Sequence, residues 1–262
     1  MTRVAEIIDR LTRAVPGAPF PHTVDTLKAG EANQEVRAIA VTFLATVEAI
    51  QEAASLGANF IITHEPTFYN HPDETGPLLG DPVYAAKRRL LETNGIAVWR
   101  YHDTLHAAEP DGILTGMLER LGWEPRARPE APNLIDLEPV PLLDLAKHLK
   151  AKLGIESLRS MGDPELVCRC VGLLPGACGW QRQIELLGRP EVDALVVGEI
   201  AEWETSEYLR DALRLGQRKG LIVTGHAASE QAGMERVAGS LGALFPGIPV
   251  MFIQTRSLFQ VH

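Results

Sequence analysis

GANFIITHE, Gly57–Glu65, is the stretch on which the fold of this chain turns. A glycine that stops a helix is followed by a short apolar run, and the run leaves through two polar side chains, His64 and Glu65. That is the form of a buried strand with a functional exit. Reading outward, Ala45 to Leu56 predicts an amphipathic helix before it and Val36 to Leu44 a strand before that, so the stretch closes a βαβ unit. A second crossover follows, with a helix over Asp81 to Asn94, a stop at Gly95 and a third strand over Ile96 to Tyr101. Upstream, Val4, Ile7, Ile8, Leu11 and Val15 line one face of an opening helix that Pro16 and GAPFPH break.

The plan returns in the second half. Leu166 to Leu174 reads as a strand, PGACG as a glycine-rich turn, Trp180 to Leu187 as a helix and Val192 to Val197 as a strand. A helix over Glu204 to Leu215, a strand over Leu221 to Thr224, a helical segment and a last strand over Ile248 to Ile253 complete it. GANFIITHE rhymes with EVDALVVGE, and IAVWRYHDTLHAAEPDGI with GLIVTGHAASEQAGM. The fold class expected is therefore α/β, as two related α/β lobes. WEPRARPEAPNLIDLEPVPLL, dense in proline and charge, is the expected join, giving an N-terminal lobe over 1–132 and a C-terminal lobe over 133–262.

Composition narrows the function classes. With 262 residues, 45% of them hydrophobic, the chain has enough apolar material for either one large or two modest cores. A formal net charge of −9 without a Lys/Arg cluster argues against nucleic acid and anionic membrane surfaces as partners. No run approaches the roughly 20 apolar residues of a membrane span, and charges interrupt the apolar positions of MTRVAEIIDRLTRAV, so a cytoplasmic location is expected. Cys168, Cys170 and Cys178 have no zinc-ribbon spacing and read as small core residues of a reduced compartment.

In an open α/β sheet, ligands sit just past the carboxyl ends of the strands. Four such exits are polar here: His64 with Glu65, His102 with His106, Glu199, and His226 with Glu230. In HDTLH and HAASE the potential ligands are four residues apart, so on a helical turn both point the same way. One such pair is better explained by a solvated helix start or an imidazole hydrogen-bonded in the core; two at matching exits, with His64 and Glu65 at a third, point to metal. Nitrogen and oxygen donors without thiolate suit zinc, iron, manganese, cobalt or nickel in a reactive site. Six ligands, His64, Glu65, His102, His106, His226 and Glu230, are more than one ion takes while keeping a position open, and they suit two divalent ions about 3.5–4 Å apart. A neutral imidazole has one lone pair to give, so Glu65 and Glu230 are the candidate bridges. The net positive charge left on such a pair favours a small anionic substrate such as a phosphate ester.

These residues resemble the Nif-three-like family of dinuclear-metal proteins, also labelled GTP cyclohydrolase type-two-like, over most of the chain. VDTLKAG is similar to that family's tryptophan-aspartate-asparagine opening, GANFIITHEP to its strand ending in two histidines and proline, and RYHDTLHAA to its histidine-threonine-asparagine-leucine-aspartate motif. VVGEIAEWE resembles its glycine-aspartate motif and TGHAASE its glycine-histidine ending with a later glutamate. The resemblance implies that His64, His102, His226 and Glu230 are metal ligands, in a two-lobed α/β fold with the metal site in the cleft between the lobes, often assembled as a toroidal homohexamer. Glu65 and His106 stand where the family usually has histidine and aspartate, an exchange that nearly keeps the ligand inventory. Trp203 stands where it often has histidine, which weakens a proton-transfer role at that point.

Glu65 and His71 are the candidate catalytic residues, as proton carriers, with an exposed polar loop the plainer reading of YNHPDETGP. Tyr69 and Tyr101 offer hydroxyls or simply pack, and PGACG is a structural turn rather than a phosphate cradle, since it lacks the lysine and spacing of a P-loop. Two functions fit: a metal-dependent hydrolase acting on a nucleotide or another phosphate-containing small molecule, or a noncatalytic metal-binding and regulatory oligomer.

Overall fold

The computed structural model describes residues 1–259. The chain forms two compact units, Met1–Ile113 with Gly233–Thr255, and Leu114–Ala232 with the segment from Arg256. The first unit runs α1 (Val4–Thr12), β1 (Leu27–Ala29), β2 (Ile39–Thr42), α2 (Val47–Ser55), β3 (Phe60–Thr63), α3 (Pro82–Asn94), β4 (Ala97–Arg100), α4 (Asp103–His106) and the start of α5 (Gly112–Leu121). The second runs β5 (Ala127–Arg128), β6 (Ala131–Pro141), α6 (Leu142–Leu153), β7 (Arg159–Met161), β8 (Val167–Leu174), α7 (Trp180–Leu187), β9 (Ala194–Val197), a π-helical turn Glu202–Ser206, α8 (Glu207–Arg214), β10 (Gly220–Val223) and the start of α9 (His226–Leu244). The rest of α9 and β11 (Val250–Ile253) belong to the first unit.

The first unit's sheet has the order β1-β4-β3-β2-β11, parallel except where β1 runs against β4. β2, β3 and β4 are buried at every position, as parallel strands covered on both faces must be. Their side chains alternate between two cores: Ile39, Val41, Phe60, Ile62, Ala97 and Trp99 join α1 and the second half of α9, while Ala40, Ile61 and Val98 face α2 and α3. Local chemistry sets the crossovers. Asp81 caps α3 by accepting from the N–H groups of Val83 and Tyr84, and Gly95 ends it in the left-handed region at φ 59°.

The second unit's sheet has the order β5-β6-β8-β9-β10-β7, with β8, β9 and β10 parallel and β6 and β7 antiparallel to their neighbours. Its parallel strands again feed two cores, Val171, Leu173, Ala194, Val196 and Ile222 on one face and Leu174, Leu195, Val197, Leu221 and Val223 on the other. The order β7-β10-β9-β8 repeats β1-β4-β3-β2 in direction as well as position, which is the expected relation between the lobes. Cys168 and Cys170 are buried in these cores, and burial pushes the Cys168 thiol up to about 12.

Three expectations need correction. The expected lobes, 1–132 and 133–262, differ from the two units, which divide within α5 between Ile113 and Leu114 and again within α9 between Ala232 and Gly233. The strand expected to close the C-terminal lobe, β11, instead pairs in parallel with β2 in the first unit. The proline-rich join is in fact β5, β6 and the start of α6, with Leu134 and Ile135 buried. β6 tolerates its prolines because its outer neighbour β5 is only two residues long and its register slips between Asp136 and Val140, around Pro139. Among the described residues no helix is long and apolar enough to cross a membrane.

Candidate metal centre

In the first unit the site grows from the ends of β3 and β4. Beyond β3 the N–H groups of His64 and Glu65 both donate to the Phe43 carbonyl, at 3.1 and 2.9 Å, which turns the chain sharply and leaves His64 fully buried. Beyond β4, His102 leads into the four-residue helix α4, whose last residue is His106. So short a helix does not hold itself. The Asp25 carboxylate accepts from the N–H groups of His102, Asp103 and Thr104 at 2.7, 2.9 and 2.8 Å, and the Asp103 carboxylate answers by accepting from Thr23 Oγ1 and the Val24 N–H at 2.8 and 3.0 Å. VDTLKAG is thus the outer half of a cap on α4.

The cap brings three imidazoles together. His64, His102 and His106 have ring centroids 4.6 to 5.0 Å apart, and each offers a ring nitrogen within 4.8 Å of the others'. Each ring is turned by an oxygen at its Nδ1: the Tyr101 carbonyl at 3.1 Å for His64, Asp103 Oδ1 at 2.9 Å for His102 and Asp111 Oδ2 at 3.0 Å for His106. An acceptor at Nδ1 draws the proton there and leaves the Nε2 lone pair as the donor, the arrangement that orients histidine toward a metal. Burial, and then the neighbouring His64 ring, lower the His102 pKa to about 4, so His102 is neutral and able to ligate at neutral pH. Burial pushes Asp103 the other way, but its hydrogen bonds from His102, Val24 and Thr23 outweigh that and hold its carboxyl at about 2.

Glu65 lies beside this cluster, with Oε1 3.7 Å from His102 Nε2 and Oε2 3.4 Å from an Arg100 nitrogen. His71 is on the exposed loop, its ring edge-on to His102 at 5.6 Å. Tyr101 stacks on Trp99 at 4.8 Å and is buried, which pushes its hydroxyl up to about 12, so it packs.

The second unit brings together His226, Glu199 and Glu230. His226 opens α9, its Nδ1 is 2.9 Å from Glu199 Oε2, and its Nε2 is 3.1 Å from Glu230 Oε2 one turn along. Glu199 therefore orients His226 as the aspartates orient the first unit's rings. Glu230 is buried against the PGACG turn, where a Cβ on Gly176 would lie 2.0 Å from its Oε1. Gly176 has φ +69° and gives its N–H to Ser229 Oγ at 2.9 Å, so the turn is structural, making room for the carboxylate. Trp203 is 79% exposed on the π-helical turn.

Asp25, Arg100, Asp103, Asp111 and the orienting part of Glu199 escape a reading that looks for ligands. The aspartate directly after His102 and the DG five residues past His106 are the only local signals. The resulting set of imidazoles and carboxylates fits a divalent ion by its donor chemistry.

The chain is 26% identical over 193 residues to the GTP cyclohydrolase 1 type 2 homolog of Clostridium acetobutylicum, covering 70% of each protein. It is 28% identical over 218 residues to the protein of the same name in Escherichia coli strain K12, covering 79% of this chain and 80% of that one. The crystal structure of Staphylococcus aureus protein SA1388 superposes with a TM-score of 0.77 over 100% of this chain and 99% of that one, at 18% identity, a likeness of fold. The model of the Duf34/NIF3 family (NGG1p interacting factor 3) matches residues 2–257, nearly the whole chain with every histidine and carboxylate described above, and the chain belongs to that family.

Proposed function

We propose that this protein is a metal-dependent hydrolase that acts on a nucleotide or another phosphate-containing small molecule, holding two divalent ions on His64, Glu65, His102, His106, His226 and Glu230. The observation that carries the reading is the set of three imidazoles whose ring nitrogens come within 4.8 Å, each turned by an oxygen at Nδ1. Ions bound by such donors supply Lewis-acid chemistry, acidifying water and polarising the centre under attack. The chain's own residues do the rest. Tyr101 O, Asp103, Asp111 and Glu199 hold the imidazoles as donors. The two glutamates reduce the charge of the ions without cancelling it, which favours an anionic substrate. His71, exposed and edge-on to His102, is the proton carrier; Glu65 is the other candidate only where it does not bridge the ions, since a bridging carboxylate is not a free base. The names of the relatives support a nucleotide; assembly as a homo-oligomer, with a hexamer as the form to test, is proposed from the resemblance of the motifs alone.

The test is metal content per chain of protein purified without chelator, for wild type and for His226→Ala with Glu230→Ala, followed by a turnover screen over nucleotides and phosphate esters. Two ions in wild type, lost in the double variant, with turnover of an anionic substrate are expected. Metal without turnover would favour the noncatalytic metal-binding oligomer, and no metal after loading would end both readings.

A further inference from the structure

Arg100, at the end of β4, is fully buried, a costly place for a guanidinium. The side-chain hydrogen-bond and ion-pair partners that the structure gives it come from one stretch, residues 64–73, with the carboxylates of Asp25 and Asp103 adding their charge from farther off. Arg100 Nε donates to the His64 carbonyl at 2.9 Å and one terminal nitrogen donates to the His71 carbonyl at 2.5 Å. The other terminal nitrogen lies 3.4 Å from Glu65 Oε2 and 3.4 Å from His71 Nδ1, and Asp73 completes the set at 3.8 Å.

The loop is held from two further sides. Lys28 on β1 pairs with the buried Asp73 carboxylate at 3.3 Å, and Lys87 on α3 donates to the Thr67 carbonyl at 2.6 Å. Tyr69 and Asp73 take left-handed φ values of 65° and 60°, conformations that side chains avoid unless the surroundings impose them. Asp73 also accepts the Phe68 N–H at 2.7 Å, and the Asn70 side chain ties Phe68 to Glu74. What this construction presents beside His102 is two side chains able to move protons, Glu65 and His71.

We propose that Arg100 is a positioning residue for these two groups: it holds the Glu65 carboxylate beside His102 and sets His71 in the tautomer that carries its proton on Nε2. The second part follows from donor chemistry. A guanidinium has only N–H groups to offer, so the ring nitrogen facing it is the acceptor, and in a neutral imidazole the proton is then on the other nitrogen. The first part rests on the metal reading above, because a Glu65 oriented in this way matters most as a ligand.

The experiment has two arms. Long-range 15N–1H NMR of the metal-free protein reads the His71 tautomer: Nε2–H is expected in wild type and a mixture in Arg100→Lys, whose single ammonium cannot span the same partners. Cobalt titration then compares Arg100→Lys, Glu65→Gln and the double variant. Each single change is expected to weaken binding about tenfold, and the pair also about tenfold, because both break the same contact. A merely structural arginine would give additive losses, about a hundredfold together, and would overturn the proposal, as would an Nδ1–H His71 in wild type. If Arg100→Lys does not fold, the wild-type tautomer decides. If wild type binds no cobalt, the metal reading falls while the tautomer still tests the grip of Arg100 on His71.

Discussion

Each of the four histidines among the candidate ligands has an oxygen at Nδ1: a backbone carbonyl for His64, aspartates for His102 and His106, and Glu199 for His226. The aspartates and Glu199 are charged acceptors, which bind the Nδ1 proton more strongly than a carbonyl and make the opposite nitrogen a better donor. Asp103→Asn keeps the size of the side chain and removes the charge that holds His102. Metal affinity is expected to fall about ten- to hundredfold, measured by competition with a chromophoric chelator, while the circular dichroism spectrum stays that of wild type. An unchanged affinity would remove His102 from the ligand set. The same rule makes Glu199 an orienting residue, a role that its position alone at the exit of β9 does not reveal.

At the level of elements, the site depends on a helix too short to be stable alone. α4 has four residues, and the N–H groups of its first two and of His102 just before it end on the Asp25 carboxylate, far away in sequence. Asp25→Ala leaves those groups without that acceptor, and a loss of about 1–3 kcal/mol is expected from the unfolding free energy, read from urea titrations. Because His102 caps α4 and His106 ends it, the same variant is expected to bind metal more weakly than its stability loss alone would suggest. Wild-type affinity in a destabilised Asp25→Ala would show that the rings are placed by their packing and not by the cap. β6 teaches the converse lesson. Its prolines read as a linker, yet a short neighbour and a slipped register let it stand as a strand.

At the scale of the whole molecule, the first unit is not a continuous piece of chain. Met234, Val237, Ala238 and Leu241 of α9 share a core with Ile7, Phe60 and Trp99, and β11 extends the sheet beyond β2. A fragment of residues 1–132 lacks the α9 residues and β11 and would leave the part of that face not covered by α1 bare. It is expected to show no cooperative unfolding transition and poor dispersion in a proton–nitrogen correlation spectrum. Residues 233–255, joined to it through a flexible linker, are expected to restore both. A fragment 1–132 that folds by itself would make the C-terminal return dispensable.

Much of this protein is legible along the chain because its information is local. Glycine stops such as Gly57 and Gly95, continuous apolar runs such as FIIT and ALVV, and histidines at strand exits are set by neighbours within a few residues. Those signals were enough for the α/β class, for the repeated order of strands and for the candidate ligands. What they could not carry is any pairing of distant segments. The return of β11 to β2 joins residues some two hundred positions apart, and no periodicity distinguishes it from a strand of the second sheet. The cap from Asp25, the orientation of His226 by Glu199 and the burial of Arg100 among residues 64–73 are of the same kind. An aspartate or an arginine looks the same in sequence whether it is solvated or buried; only the folded chain decides which buried charge meets which partner, because desolvation makes that partner obligatory.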